Sequence, residues 1–191
     1  MIFVPISQLF RRLKGTSITA SKMREISFDD GDICVYAGGK TRVYTTGDQI
    51  PNANIVDVPS VLIQSRGVID ALFCDGKYTF KNEFWAYSHD NIVTLRFLYH
   101  YLKTKLTFLR HEASKMGSIP QISHTDTDSI LFPLIPFEEQ ERIVSILDCF
   151  DRLCSDSKDS ISAEISARKK QYEYYRDKLL SFDRVEGGSV A

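Results

Sequence analysis

PFEEQERIVSILDCFDRLCSDSKDSISAEISARKKQYEYYRDKLLSF, residues 136–182, is the stretch that decides how this chain is built. Its apolar positions run Ile143, Leu147, Phe150 and Cys154, then Ile161, Ile165, Tyr172, Tyr175, Leu179 and Phe182. Steps of three and four residues place them on one stripe of an α-helix, with Ser157 and Arg168 filling seam positions and a stutter at Ile161–Ile165. Pro136 suits the start of a helix, and Glu138, Glu139 and Glu141 complement the positive end of its dipole. Ser155 to Ser160 is the weakest stretch, where a kink or a break between two helices fits. A stripe this long exceeds what residues 1–135 can cover, so it calls for a partner helix. The alternative is a helix folded back on its own domain. Candidate pairing residues are Ile143, Leu147, Phe150, Cys154, Ile161, Ile165, Tyr172, Tyr175 and Leu179.

Charge indicates how two such helices would run. Residues 138–159 carry seven acidic and three basic side chains, whereas residues 164–181 carry three acidic and five basic ones. An antiparallel pair of identical helices sets each acidic half beside a basic half; a parallel pair stacks like on like.

Upstream of the helix the pattern is short and interrupted. Strands are predicted over Asp32–Ala37, Ser60–Ser65, Val68–Phe73, Phe84–Tyr87 and Ile130–Ile135, with turns at Gly38-Gly39, Arg66-Gly67, Asp75-Gly76 and Lys81-Asn82. The period changes between Thr94 and Ser114, where Leu95, Leu98, Leu102, Leu106 and Leu109 define one helical face and Gly117 marks the stop. A polar loop then runs from Gly117 to Asp126. The expected fold class is α+β: a mixed, mostly β domain over residues 1–135, a long coiled-coil-forming helix over 136–182 and a flexible tail over 183–191.

Composition narrows the function. The 191 residues are 43% hydrophobic and 26% charged, a globular balance with no run long enough to span a membrane. Nor does the start of the chain carry the basic region of a secretory signal. Cys34, Cys74, Cys149 and Cys154 form no Cys-x-x-Cys pair, so they are read as buried free thiols in a reducing cytoplasm, not as zinc ligands. The net charge is −1, yet residues 1–137 hold 15 Lys and Arg against 13 Asp and Glu. That weakly basic domain permits DNA binding without demanding it.

Catalytic signatures are missing. Gly38-Gly39-Lys40-Thr41 has the tail of a phosphate-binding loop, but Cys34 stands where its first glycine belongs. The sequence contains no Gly-x-Gly-x-x-Gly, His-Glu-x-x-His or Gly-x-Ser-x-Gly motif, and no Asn/Asp-Pro-Pro-aromatic tetrad for amino-methyl transfer to a flipped base. His89, His100, His111 and His124 are not spaced as a metal site or triad. A non-enzymatic chain with no cofactor or metal of its own is expected.

Two runs within the helix, residues 136–151 and 163–182, closely resemble the spacer region of the specificity subunit of type I DNA restriction-modification systems. Upstream, Ser65-Arg66-Gly67 after a strand, then the helix, then Gly117-Ser118-Ile119-Pro120-Gln121-Ile122 follow the order of that family's target-recognition domain. The resemblance implies a DNA-reading subunit whose spacer helices set the gap between two half-sites. Methyltransferase subunits would grip the helices and bring S-adenosylmethionine; a restriction subunit would bring ATP and Mg. One recognition domain and one spacer depart from the family's pattern of two each, so an antiparallel homodimer is expected to rebuild the whole. About 44 helical residues at ~1.5 Å span roughly 65 Å, enough to hold two readers one or more DNA turns apart. A dimerising adaptor with a degenerate recognition domain is the alternative.

Base readout favours Arg, Lys, Asn, Gln and Ser in exposed loops. Candidate DNA contacts are Lys40, Arg42, Arg66, Lys81, Asn82, Ser118, Gln121, His124 and Thr125, with Lys77 and Lys115 as generic phosphate contacts. Arg66 serves equally well as a structural ion-pair partner, and Tyr44 as a core residue.

Overall fold

The computed structural model describes residues 2–28, 30–38, 41–114 and 119–153, together with positions 161, 164, 170 and 171. Lys40, Lys115, Ser118, Cys154, Ile165, Tyr172, Tyr175, Leu179 and the tail lie outside them. Contacts divide the chain into two units, Met1–Ser145 and Ile146–Ala191.

The first unit is built on an antiparallel sheet ordered β2 (Arg11–Leu13), β8 (Trp85–Ser88), β5 (Ser60–Gln64), β6 (Asp70–Cys74). Every residue of β5 and β8 is buried, so the sheet is covered on both faces. Alternation along the strands shows by what. Val61, Ile63, Ala71 and Tyr87 join Leu95, Leu98, Leu102 and Leu109 of α3 (Ile92–Ser114) in one cluster. Leu62 and Ala86 face the other way and pack with Tyr78 and Phe80 of β7 (Tyr78–Phe80). That strand belongs to a second sheet, β4 (Arg42–Thr45), β3 (Ile33–Tyr36), β7, in which β3 and β7 run parallel. A helix, a four-stranded sheet and a three-stranded sheet thus form three layers. Each fully buried leucine in them contributes roughly 1.5–3 kcal/mol.

Local sequence explains the start of α3. Asn91 Oδ1 accepts from the Thr94 N–H at 3.0 Å, satisfying one of the unpaired donors of the first turn. The turn between β6 and β7 uses Gly76 at φ +110°, a conformation that side chains resist. A small ribbon pairs β1 (Ile2–Pro5) with β9 (Leu131–Leu134) and brings the two ends of the unit together. α1 (Ile6–Leu9), α2 (Ala20–Glu25) and α4 (His124–Asp128) are short surface turns.

Beyond Pro136, residues 137–153 are helical, as are the described positions 161, 164, 170 and 171. The Pro136 carbonyl accepts from the N–H groups of Glu139 and Gln140 at 3.1 Å, so the proline precedes the helix and caps it through its backbone. Val144 is buried in the α3 cluster and Ile143 is half-buried against it, although Ile143 was expected to lie on a pairing stripe. The first turns of this helix therefore pack within the first compact unit.

The cysteine expectation needs correction. Cys74 is buried, but Cys34 is half-buried and Cys149 is exposed. Cys149 lies past Val144, where Ile146 and Phe150 beside it are exposed as well, so no apolar layer selects its burial. The polar loop expected from Gly117 to Asp126 contains the start of α4. A reciprocal cap begins that helix: the Ser123 side chain meets the N3 backbone, and the Asp126 carboxylate accepts from the Ser123 N–H at 2.7 Å.

Candidate nucleic-acid interface

Three abutting clefts on the first unit gather most of the described polar residues that the sequence singled out. The first, about 280 Å³, is lined by Arg12, Lys14, Gly15, Asn54, Asn82 and His124 above an apolar floor of Leu13, Phe84 and Trp85. The second, about 480 Å³, shares Phe84 and holds Arg42, Tyr36, Thr41, Gln64 and Asp70. The third, about 340 Å³, shares Ala37 and Thr41 with the second and holds Arg24, Lys81 and Glu83.

The expected contacts are disposed unequally among them. Asn82 and His124 come together in the first cleft. Arg42 lines the second, with its guanidinium 5.0 Å from the centre of the Tyr36 ring, a cation–π contact that stiffens the side chain. Burial, with nearby thiols, pushes the Tyr36 hydroxyl up, so the ring remains a neutral platform. Lys81 lines the third and is matched by Glu83 at 3.3 Å, which lowers its worth as a phosphate anchor. Arg66 and Gln121 meet in a backbone bridge, and the Gly67 N–H donates to the Pro120 carbonyl at 2.8 Å. This tie fixes the residue 119–122 segment beside the end of β5, with both named side chains exposed. Thr125 is exposed, its hydroxyl 2.6 Å from Ser123 Oγ. Lys77 pairs with Asp32 at 3.3 Å, and Tyr44 is exposed at the sheet edge.

Arg12, Lys14 and Asn54 escaped the sequence reading. Arg12 lies on β2, in register with Tyr87 on β8. Its guanidinium pairs with Asp128 of α4 and approaches His124 Nδ1 at 3.0 Å. Asn54 donates from Nδ2 to the Gly15 carbonyl at 2.8 Å, and its own N–H donates to Thr16 Oγ1 at 2.8 Å. Gly15 is required here: a side-chain carbon would sit 2.6 Å from the Phe80 carbonyl oxygen. The Ser123/Asp126 cap could have announced α4 from sequence, but nothing local announces a three-residue strand pairing with β8.

Two further cations, both on α3, serve structure. Lys103 reaches Asp70 at 2.7 Å and Arg110 donates to the Ile69 carbonyl at 2.9 Å, binding α3 to β6. Among the described residues no group of His, Cys, Asp and Glu can hold a metal ion, and no helix is long and apolar enough to cross a membrane.

These layers and clefts coincide with a known family. The family model for the type I restriction modification DNA specificity domain matches residues 4–167, and the chain belongs to that family. Over 99 residues it is 38% identical to the EcoR124I/EcoR124II specificity subunit of Escherichia coli, covering 51% of this chain and 24% of that one. It is 34% identical over 90 residues to the type I restriction enzyme MpnII specificity subunit of Mycoplasma pneumoniae, covering 47% of this chain and 26% of that one. Its fold is that of the S subunit of a type I restriction-modification system from M. genitalium, with a TM-score of 0.62 and 19% identity over 96% of this chain and 46% of that one. The chain therefore spans less than half the length of each of these relatives.

Proposed function

We propose that this chain reads one half of a split double-stranded DNA site, without catalysing any reaction, for a type I restriction-modification enzyme. The observation that carries this reading is the first cleft, where Arg12, Lys14, Asn54, Asn82 and His124 converge from four separate segments. Cations with adjoining amides and an imidazole match a phosphate backbone beside base edges. Residues 1–135 act as the recognition domain and residues 136–182 as the spacer, with 183–191 as a tail. Two copies pair antiparallel through the spacer, and the exposed Phe150 and Ile161 support such a seam. The paired helices then offer a platform to methyltransferase and restriction subunits, which bring S-adenosylmethionine, ATP and Mg in the cytoplasm.

Sequencing of methylated positions tests this. Genomic DNA methylated by the assembled complex is expected to carry one palindromic, two-part motif with a fixed gap. Methylation without any defined motif would sink the reading.

A further inference from the structure

Arg12 is held as no other cation in the three clefts is. Asp128 receives its Nη1 through Oδ2, and the Tyr87 hydroxyl donates to Asp128 Oδ1 at 2.6 Å. Tyr87 lies 2.7 Å from the buried Thr127 hydroxyl, which also accepts from the Trp85 indole N–H at 2.9 Å. Buried groups from β8 and α4 thus fix a carboxylate, and the carboxylate fixes the guanidinium. Both contacts described for Arg12 use Nη1, so its Nε–Nη2 edge is the one offered to a ligand. His124 joins the same cluster, its Nδ1 3.0 Å from Arg12 Nη1 and 3.5 Å from Asp128 Oδ2.

We infer that Arg12, oriented by Asp128 and Tyr87, reads the O6/N7 edge of a guanine in the half-site. This rests on the DNA-reading role proposed above. A planar fork held in one orientation matches the two acceptors of a guanine edge as it matches a phosphate, and the groups beside it decide between the two. The neighbours favour a base: the side-chain amides of Asn54 and Asn82 distinguish donors from acceptors. Asp128 and Tyr87 are positioning residues that act through Arg12.

The test selects the full-length chain against a pool of randomised duplexes, then titrates the preferred duplex across a salt series. Arg12→Ala is expected to lose preference at one G·C position, to weaken the preferred duplex about 10-fold or more, and to leave the slope of log affinity against log salt unchanged. Arg12→Lys should not restore that position. Tyr87→Phe, which keeps the ring in place, should relax the same position to a smaller degree without altering any other. Uniform weakening on all duplexes, with the slope reduced by about 0.9 and rescue by Arg12→Lys, would make Arg12 a phosphate anchor and overturn the inference. An unchanged motif in Arg12→Ala would overturn it too, leaving only a tether between β2 and α4. No enrichment by the wild-type chain would instead defeat the DNA-reading role itself.

Discussion

α3 and the helix at 137–153 carry the same apolar period, yet they stand in opposite environments. In α3, Leu95 and Leu98 are 0% exposed because β5 and β6 supply the other half of the contact. In the second helix Phe150 is 60% exposed and Leu153 56%, and Ile161 further on is 59% exposed. Periodicity therefore fixes which face of a helix is apolar, but not what covers it. One helix completes a core. The other exposes apolar side chains, and Ile146 and Leu153 widen the exposed stripe beyond the positions that the heptad reading selected.

The sharpest way to break this contrast is to substitute apolar residues on each side of it. Leu98→Ala is expected to lower stability by about 2–5 kcal/mol in urea unfolding, because the three-layer core cannot collapse fully into the cavity. A cost below about 1 kcal/mol would show that α3 is not what closes the sheet. On the other side of the contrast, Phe150→Asp combined with Ile161→Asp should weaken self-association about 100-fold or more in sedimentation equilibrium while the domain keeps its unfolding midpoint. An unchanged association constant would show that the exposed stripe is not the seam.

A smaller effect separates the two sheets from the helices by pH. Cys74, between β6 and the three-stranded sheet, is pushed by burial from 9.0 to about 11. The folded chain thus holds this proton more tightly than the unfolded one, so stability is complete below pH 9 and falls as pH rises toward 11. At about 1.4 kcal/mol per unit, that shift corresponds to a loss of at most roughly 3 kcal/mol. Tyr78 is shifted in the same direction, chiefly by burial. Urea midpoints measured from pH 8 to 11 should decline, and Cys74→Val should flatten part of that decline; an identical slope in the variant would discount the thiol.

The smallest effect lies at the start of the second helix. Hydrogen bonds from Arg142, at 2.6 and 2.9 Å, hold the exposed Glu139 carboxyl below its usual range. Its contribution is present above the ordinary carboxylate range and disappears as pH falls through the lowered value. Helical circular dichroism of Glu139→Gln should match the wild type at low pH and lie slightly below it at neutral pH; no difference at neutral pH would make the pair decorative.

Strands with uninterrupted apolar runs were legible in advance. β3, β5 and β9 fall inside the expected ranges, whereas β6 begins two residues later and β8 one residue later than expected. β2, β4 and β7 were not, since three or four residues of mixed polarity give no period to read, and the four apolar residues of β1 are too few to show one. The candidate site divides in the same manner. Arg42, Asn82 and His124 were found as polar residues near turns, and they do line clefts. Arg12 was passed over because its role arises from Asp128 and His124, which approach it across the fold.

The sequence by itself determined the α+β class, the apolar face of α3, the turns at Gly67 and Gly76 and the family, because these depend on spacing along the chain. The tertiary structure alone decided that β5 and β8 are buried on both faces, that Ile143 and Val144 pack onto the domain, and that Arg12 is clamped at a cleft. Each of these depends on which distant segments meet, and local spacing carries no information about that.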